Sequence, residues 1–151
     1  MTRLLVVDAS VVCAAGETEH PISSSCRKSL EAIRRICHRV AVTPAIQEEW
    51  KNPMSRFSRK WYCSMAARKK LQLVASAKIV LDTAGLSEGD REAIEKDRCL
   101  LEAAFSADYV IVTRDDALRA VLAKTPQGPR IGKRIKWINP VTEGEAALEN
   151  L

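Results

Sequence analysis

Short apolar runs alternating with helical stretches restrict the fold of this 151-residue chain more than any other feature. RLLVVD (3–8), VAVT (40–43), DYVIVT (108–113) and RIKWI (134–138) are too short for buried helices and rich in β-branched residues, so they read as strands. KIVL (78–81) reads as a further short strand. Between these runs, apolar residues recur at helical spacing: Leu30, Ile33 and Ile36/Cys37 within 23–39, and Ile94, Leu101 and Phe105 within 87–107. PAIQEEW (44–50) opens on a proline suited to a first helical turn. A basic helical region follows over 55–75, then a short helix over 116–123 and a Pro/Gly loop. Strands alternating with helices predict an α/β chain, a three-layer α/β/α sandwich around a central, mostly parallel sheet. The length suits one domain over 1–151, and no repeat or linker divides it.

No run of about 18 apolar residues exists to cross a membrane. The apolar segment behind Arg3 ends in small residues, as a secretory signal does, but Asp8 breaks its core. The five cysteines (13, 26, 37, 63 and 99) are odd in number and never spaced C-x-x-C. That excludes a zinc ribbon and a disulfide framework, and suits a cytoplasmic, reducing setting. His20 and His38 lack ligand spacing and read as surface or capping residues.

Charge is segregated along the chain. From Lys51 to Lys78 there are eight bases and no acid, whereas from Asp82 to Asp108 there are eight acids and three bases. One basic zone beside one acidic zone is a pattern that the function has to explain.

The acids fall in telling places. Asp8 closes the most apolar strand, and in parallel α/β folds ligands bind beyond the carboxyl ends of strands. Asp97 lies three residues after Ile94 and four before Leu101, so it shares their core-facing stripe, where an unpaired acid is rare. Glu49 is three residues after Ile46 and points inward, while Glu48 points to water, although so short a helix leaves both open. Asp115 and Asp116 both precede a helix; strand parity with Ile111 sends Asp115 toward the crevice and leaves Asp116 as the cap. Ser10 and Thr113 are hydroxyls beside these acids, either orienting them or serving as plain turn residues. Ser87 with Asp90 three positions on reads as a helix cap.

Two carboxylates about 5 Å apart repel by roughly 3 kcal/mol at an effective dielectric of about 20. Gathering Asp8, Glu49, Asp97 and Asp115 in one cleft therefore calls for protonation or a cation. An all-oxygen donor set without His or Cys suits Mg²⁺ or Mn²⁺.

LLVVDAS with Asp8, VTPAIQEEW with Glu49, KDRCLLEAAFSADYVIVTRDDAL with Asp97, and Thr113-x-Asp115 resemble the motifs of PIN-domain nucleases. The step from Asp97 to Thr113, helix then strand, is the most specific part. The resemblance implies a metal-dependent endoribonuclease acting on RNA, with Asp8, Glu49, Asp97 and Asp115 as metal ligands and catalytic residues. Many relatives are toxins of the VapC type, held by an antitoxin protein and often forming homodimers. Arg56, Arg59, Lys60, Arg68, Lys69 and Lys70 are expected to contact RNA phosphates. Phe57, Trp61 and Tyr62 either stack on bases or, as the spacing of Trp61 and Met65 favours, belong to the core. The competing expectation is a catalytically inactive PIN-like module that binds RNA or protein. A phospho-aspartyl hydrolase is disfavoured because DAS lacks a D-x-D pair.

Overall fold

The computed structural model describes residues 2–151. Five strands form one sheet: β1 (Leu4–Val7), β2 (Arg39–Val42), β3 (Leu71–Leu73), β4 (Val110–Val112) and β5 (Lys136–Ile138). Every pairing is parallel, and the order is β3-β2-β1-β4-β5. β1 is central and fully buried, which explains its unbroken apolar run.

The helices are α1 (Ala9–Val12), α2 (Pro21–Ile36), α3 (Pro44–Trp50), α4 (Arg56–Ala67), α5 (Glu88–Phe105), α6 (Asp116–Leu122), α7 (Gly128–Arg134), α8 (Pro140–Glu143) and α9 (Ala146–Glu149). Right-handed crossovers place α2 and α4 on one face of the sheet and α5, α6 and α7 on the other. The packing agrees: α2 lies against α4, α8 and α9, and α5 lies against α6. The chain thus forms the expected three-layer α/β/α sandwich. The crossovers change face between β1 and β4, which makes the carboxyl end of that pair the crevice where such folds bind ligands.

Several boundaries differ from the sequence expectation. The basic helix stops at Ala67, not near residue 75. Lys69 adopts a left-handed φ of 58°. The Lys70 N–H donates to Met65 O and the Lys69 N–H to Ala66 O, a Schellman closure without glycine. The reversal delivers Leu71–Leu73 to the sheet as edge strand β3. KIVL (78–81) is not a strand; Ile79 is buried from a loop while Val80 is 78% exposed. The Pro/Gly segment holds helix α7, with Pro129 in its first turn. Cys37 is not on the apolar face of α2 but ends it, exposed and left-handed at φ 68°.

Trp61 and Met65 are fully buried, as core residues should be, and the Trp61 indole N–H donates to Leu30 O at 2.9 Å. His20 caps α2. His38 is buried, not at the surface, and bridges Arg3 N and Leu148 O. All five cysteines are free, and no helix of the described residues is long and apolar enough to cross a membrane.

Candidate functional site

Asp8 is the first residue past β1 and the N-cap of α1, and it is buried, 7% exposed. Its Oδ2 accepts hydrogen bonds from Ser10 Oγ and Thr113 Oγ1, each at 2.8 Å. Both hydroxyls also accept a backbone N–H: Ser10 from Arg114 at 3.2 Å, and Thr113 from Asp115 at 3.0 Å. Their single protons are therefore committed to Asp8. Oδ1 takes no hydrogen bond among the described residues. Ser10 and Thr113 are thus orienting residues rather than plain turn residues.

Glu49 reaches the same cleft because α3 is locked onto β1. Thr43 caps this helix, Pro44 occupies its first turn, and the Trp50 indole donates to Val7 O at 3.0 Å. Trp50 is thereby fixed one residue from Asp8, and its neighbour Glu49 is carried inward. Glu48 faces water, 78% exposed and paired with Lys51 at 3.5 Å. The inward acid is Glu49.

Asp97 enters from α5, half-buried on the face that carries Ile94 and Leu101. Each of Asp8, Glu49 and Asp97 offers a carboxylate oxygen, and these three atoms lie within 4.8 Å of one another. Among the described residues none of the three forms an ion pair with a base. The cleft they line encloses about 330 Å³ and also includes Asn52, Lys96 and Asp115.

Asp115 lines the same cleft but lies outside the three-oxygen group. It is the N-cap of α6, accepting the Ala117 N–H at 2.9 Å, so the capping role expected of Asp116 belongs to Asp115. Asp116 accepts from Asn139 Nδ2 instead, at 3.3 Å. The expected four-acid set is therefore three clustered carboxylates with Asp115 at the rim.

The electrostatics carry the mark of crowding. Burial, followed by the charges of Asp8, Asp115 and Glu49, pushes the Asp97 carboxyl up to about 6. Burial and Asp8 raise Glu49 as well, while Lys96 lowers both. The Cys13 and Cys99 thiols beside the acids are also raised, chiefly by burial, Cys99 to about 11.

No protein-family model matches the chain, and no curated protein is significantly similar to it.

The expected RNA-contacting bases do not form one patch. Helix α4 runs from the carboxyl edge of the sheet toward its amino edge, where β3 begins. Its first turn sits by the cleft, with Ser55 and Ser58 donating to Ala15 O and Val12 O just beyond Asp8. Arg56, Arg59 and Lys60 are exposed near this end. Arg68, Lys69 and Lys70 lie at the far end; Lys70 O accepts the N–H of Val40 near the start of β2. Lys96 and Asn52 in the cleft are missed by sequence reasoning; adjacency to Asp97 is the one signal that points to Lys96.

Proposed function

We propose that this chain is a divalent-metal-dependent endoribonuclease of the PIN-domain kind, with Asp8, Glu49 and Asp97 holding Mg²⁺ or Mn²⁺. The carrying observation is the convergence of three unpaired carboxylates, within 4.8 Å, at the topological switch point of a parallel sheet. Oxygens on opposite sides of an octahedral Mg²⁺ are about 4.2 Å apart, twice its ~2.1 Å bond length. Three carboxylate oxygens within 4.8 Å of one another lie near the span that the ligands of one such ion would occupy. The donor set is all oxygen, as hard cations require.

When bound, such an ion activates water and offsets charge developing at a scissile phosphate. The protein's own groups do the rest. Ser10 and Thr113 saturate Asp8 Oδ2 and aim the carboxylate by fixing one of its oxygens. Asp97 holds a proton below about pH 6 and gives it up when a cation takes its place. Lys96 and the bases at the start of α4 counter the repulsion between the acids and an RNA backbone.

Purified protein incubated with single-stranded and hairpin RNA in Mn²⁺, Mg²⁺ or EDTA tests the reading, beside Asp97→Asn. Cleavage that needs metal and is lost in the variant is expected. Tight RNA binding without cleavage in either metal would overturn it in favour of an inactive binding module.

A further inference from the structure

Thr113, whose hydroxyl donates to Asp8 of the acidic cleft, lines a second pocket. This pocket, of about 330 Å³ at the carboxyl ends of β4 and β5, is shared with Asp116, Arg119, Trp137, Asn139 and Glu143. That volume lies at the small end of ligand pockets, about 300–1,000 Å³.

The groups in this pocket are held, and their remaining valences are specific. The half-buried Trp137 donates its indole N–H to Gly132 O at 3.2 Å, which fixes its ring. Asn139 donates from Nδ2 to Asp116 Oδ2 at 3.3 Å and to Arg114 O at 3.5 Å, and its backbone N–H donates to Glu143 Oε2 at 2.7 Å. Asp116 Oδ1 and Glu143 Oε1 have no donor among the described residues. The Arg119 guanidinium has no acceptor among them either.

Two carboxylates rule against a bare phosphate. A fixed aromatic ring, spare carboxylate oxygens and a guanidinium instead suit a planar ring with both donors and acceptors, which is a nucleobase. Guanine alone presents two adjacent N–H donors, N1 and N2, to a carboxylate, together with O6 and N7 to a guanidinium.

We infer that this pocket takes a guanine of the RNA strand, close to the phosphate that the acidic cleft addresses. The position of that phosphate rests on the proposed nuclease reading; the preference for guanine does not.

The test is anisotropy of labelled single-stranded A-tract hexamers carrying one central G, A, C or U, bound to the whole protein in EDTA. The G-containing RNA is expected to bind about 10-fold tighter or more than the other three. In Arg119→Ala and Asp116→Asn, both at exposed positions and checked for folding by circular dichroism, that ratio falls to within about two-fold. Equal binding of all four RNAs, or a G preference that neither variant moves, overturns the guanine pocket. Because no metal is present, absence of cleavage leaves this readout intact, and a missing base preference leaves cleavage intact.

Discussion

The Thr113 hydroxyl donates to the Asp8 carboxylate at 2.8 Å, across 105 positions of sequence. The same oxygen accepts the Asp115 N–H at 3.0 Å, so removing it disturbs two acids together. Thr113→Val leaves the Asp115 N–H without its acceptor and Asp8 with Ser10 alone. A loss of about 1–3 kcal/mol in urea denaturation is expected. RNA cleavage should fall about ten-fold, the weight of one orienting hydrogen bond at 1.4 kcal/mol. Thr113→Ser should restore most of both.

Asp97 makes stability depend on pH. Its folded-state value of about 6 stands above the ordinary 3.8, so between those limits the folded protein holds a proton that the unfolded chain releases. Metal-free stability therefore falls as pH rises through this window, and the penalty is fully present above it. Asp97→Asn removes the charge. Thermal melts in EDTA should show the variant about 2–4 °C more stable at pH 7.5, the shift for roughly 1 kcal/mol after screening of a half-buried group. The difference should vanish near pH 4. A variant no more stable than the parent at pH 7.5 would refute the crowding.

Mn²⁺ should reverse that ranking. Binding to the folded state alone at a hundred times the dissociation constant stabilises by about 2.7 kcal/mol. The parent protein is expected to gain melting temperature with Mn²⁺ at pH 7.5 and to lose that gain below pH 6, where Asp97 keeps its proton. Asp97→Asn should show little gain at either pH. Isothermal titration with Mn²⁺ measures the same loss directly.

Neighbouring glutamates should behave oppositely. Glu49 belongs to the clustered carboxylates, whereas Glu48 is exposed and bound to Lys51. Glu49→Gln is expected to reduce cleavage at least a hundred-fold, and Glu48→Gln to leave it within two-fold, in line with the weak worth of exposed ion pairs. Equal effects of the two changes would remove Glu49 from the site.

The basic residues should divide by position. Charge removal at Arg56, Arg59 and Lys60 lowers RNA affinity and flattens its dependence on salt, by up to about 0.7 in log–log slope for each phosphate no longer neutralised. The same change at Arg68, Lys69 and Lys70, at the opposite edge of the sheet, should alter both much less. Binding titrations from 50 to 300 mM salt compare the two triple variants.

The site was more legible in the chain than the fold's edges. Asp8 gave itself away by closing a buried strand, and Asp97 by sharing a helical stripe with Ile94 and Leu101; both signals are periodic. Glu49 followed from its phase against Ile46. Where the chain turns from helix to strand, no glycine marked the boundary, because Cys37, Lys69 and Tyr109 themselves take the left-handed conformation. The end of α4 and the strand Leu71–Leu73 were therefore hidden, and the more β-branched KIVL stood in for them. Asp115 and Asp116 are adjacent acids with equal capping chemistry, so only the fold separates them. Lys96 and Asn52 occupy exposed positions, where no pattern constrains residue type.

The central place of β1 governs when the site can come into being. Its partners β2 and β4 lie about 35 and 105 positions downstream by register, Leu4 with Arg39 and Val6 with Ile111. Closing the longer loop carries an entropic cost that no local contact offsets, so pairing of β4 is expected among the late, slow events of folding. A chain emerging from the ribosome would expose Asp8 and Glu49 long before Asp97 and Thr113 arrive to complete the cluster. On this account the three acids are held in their final arrangement only after β4 has docked beside β1.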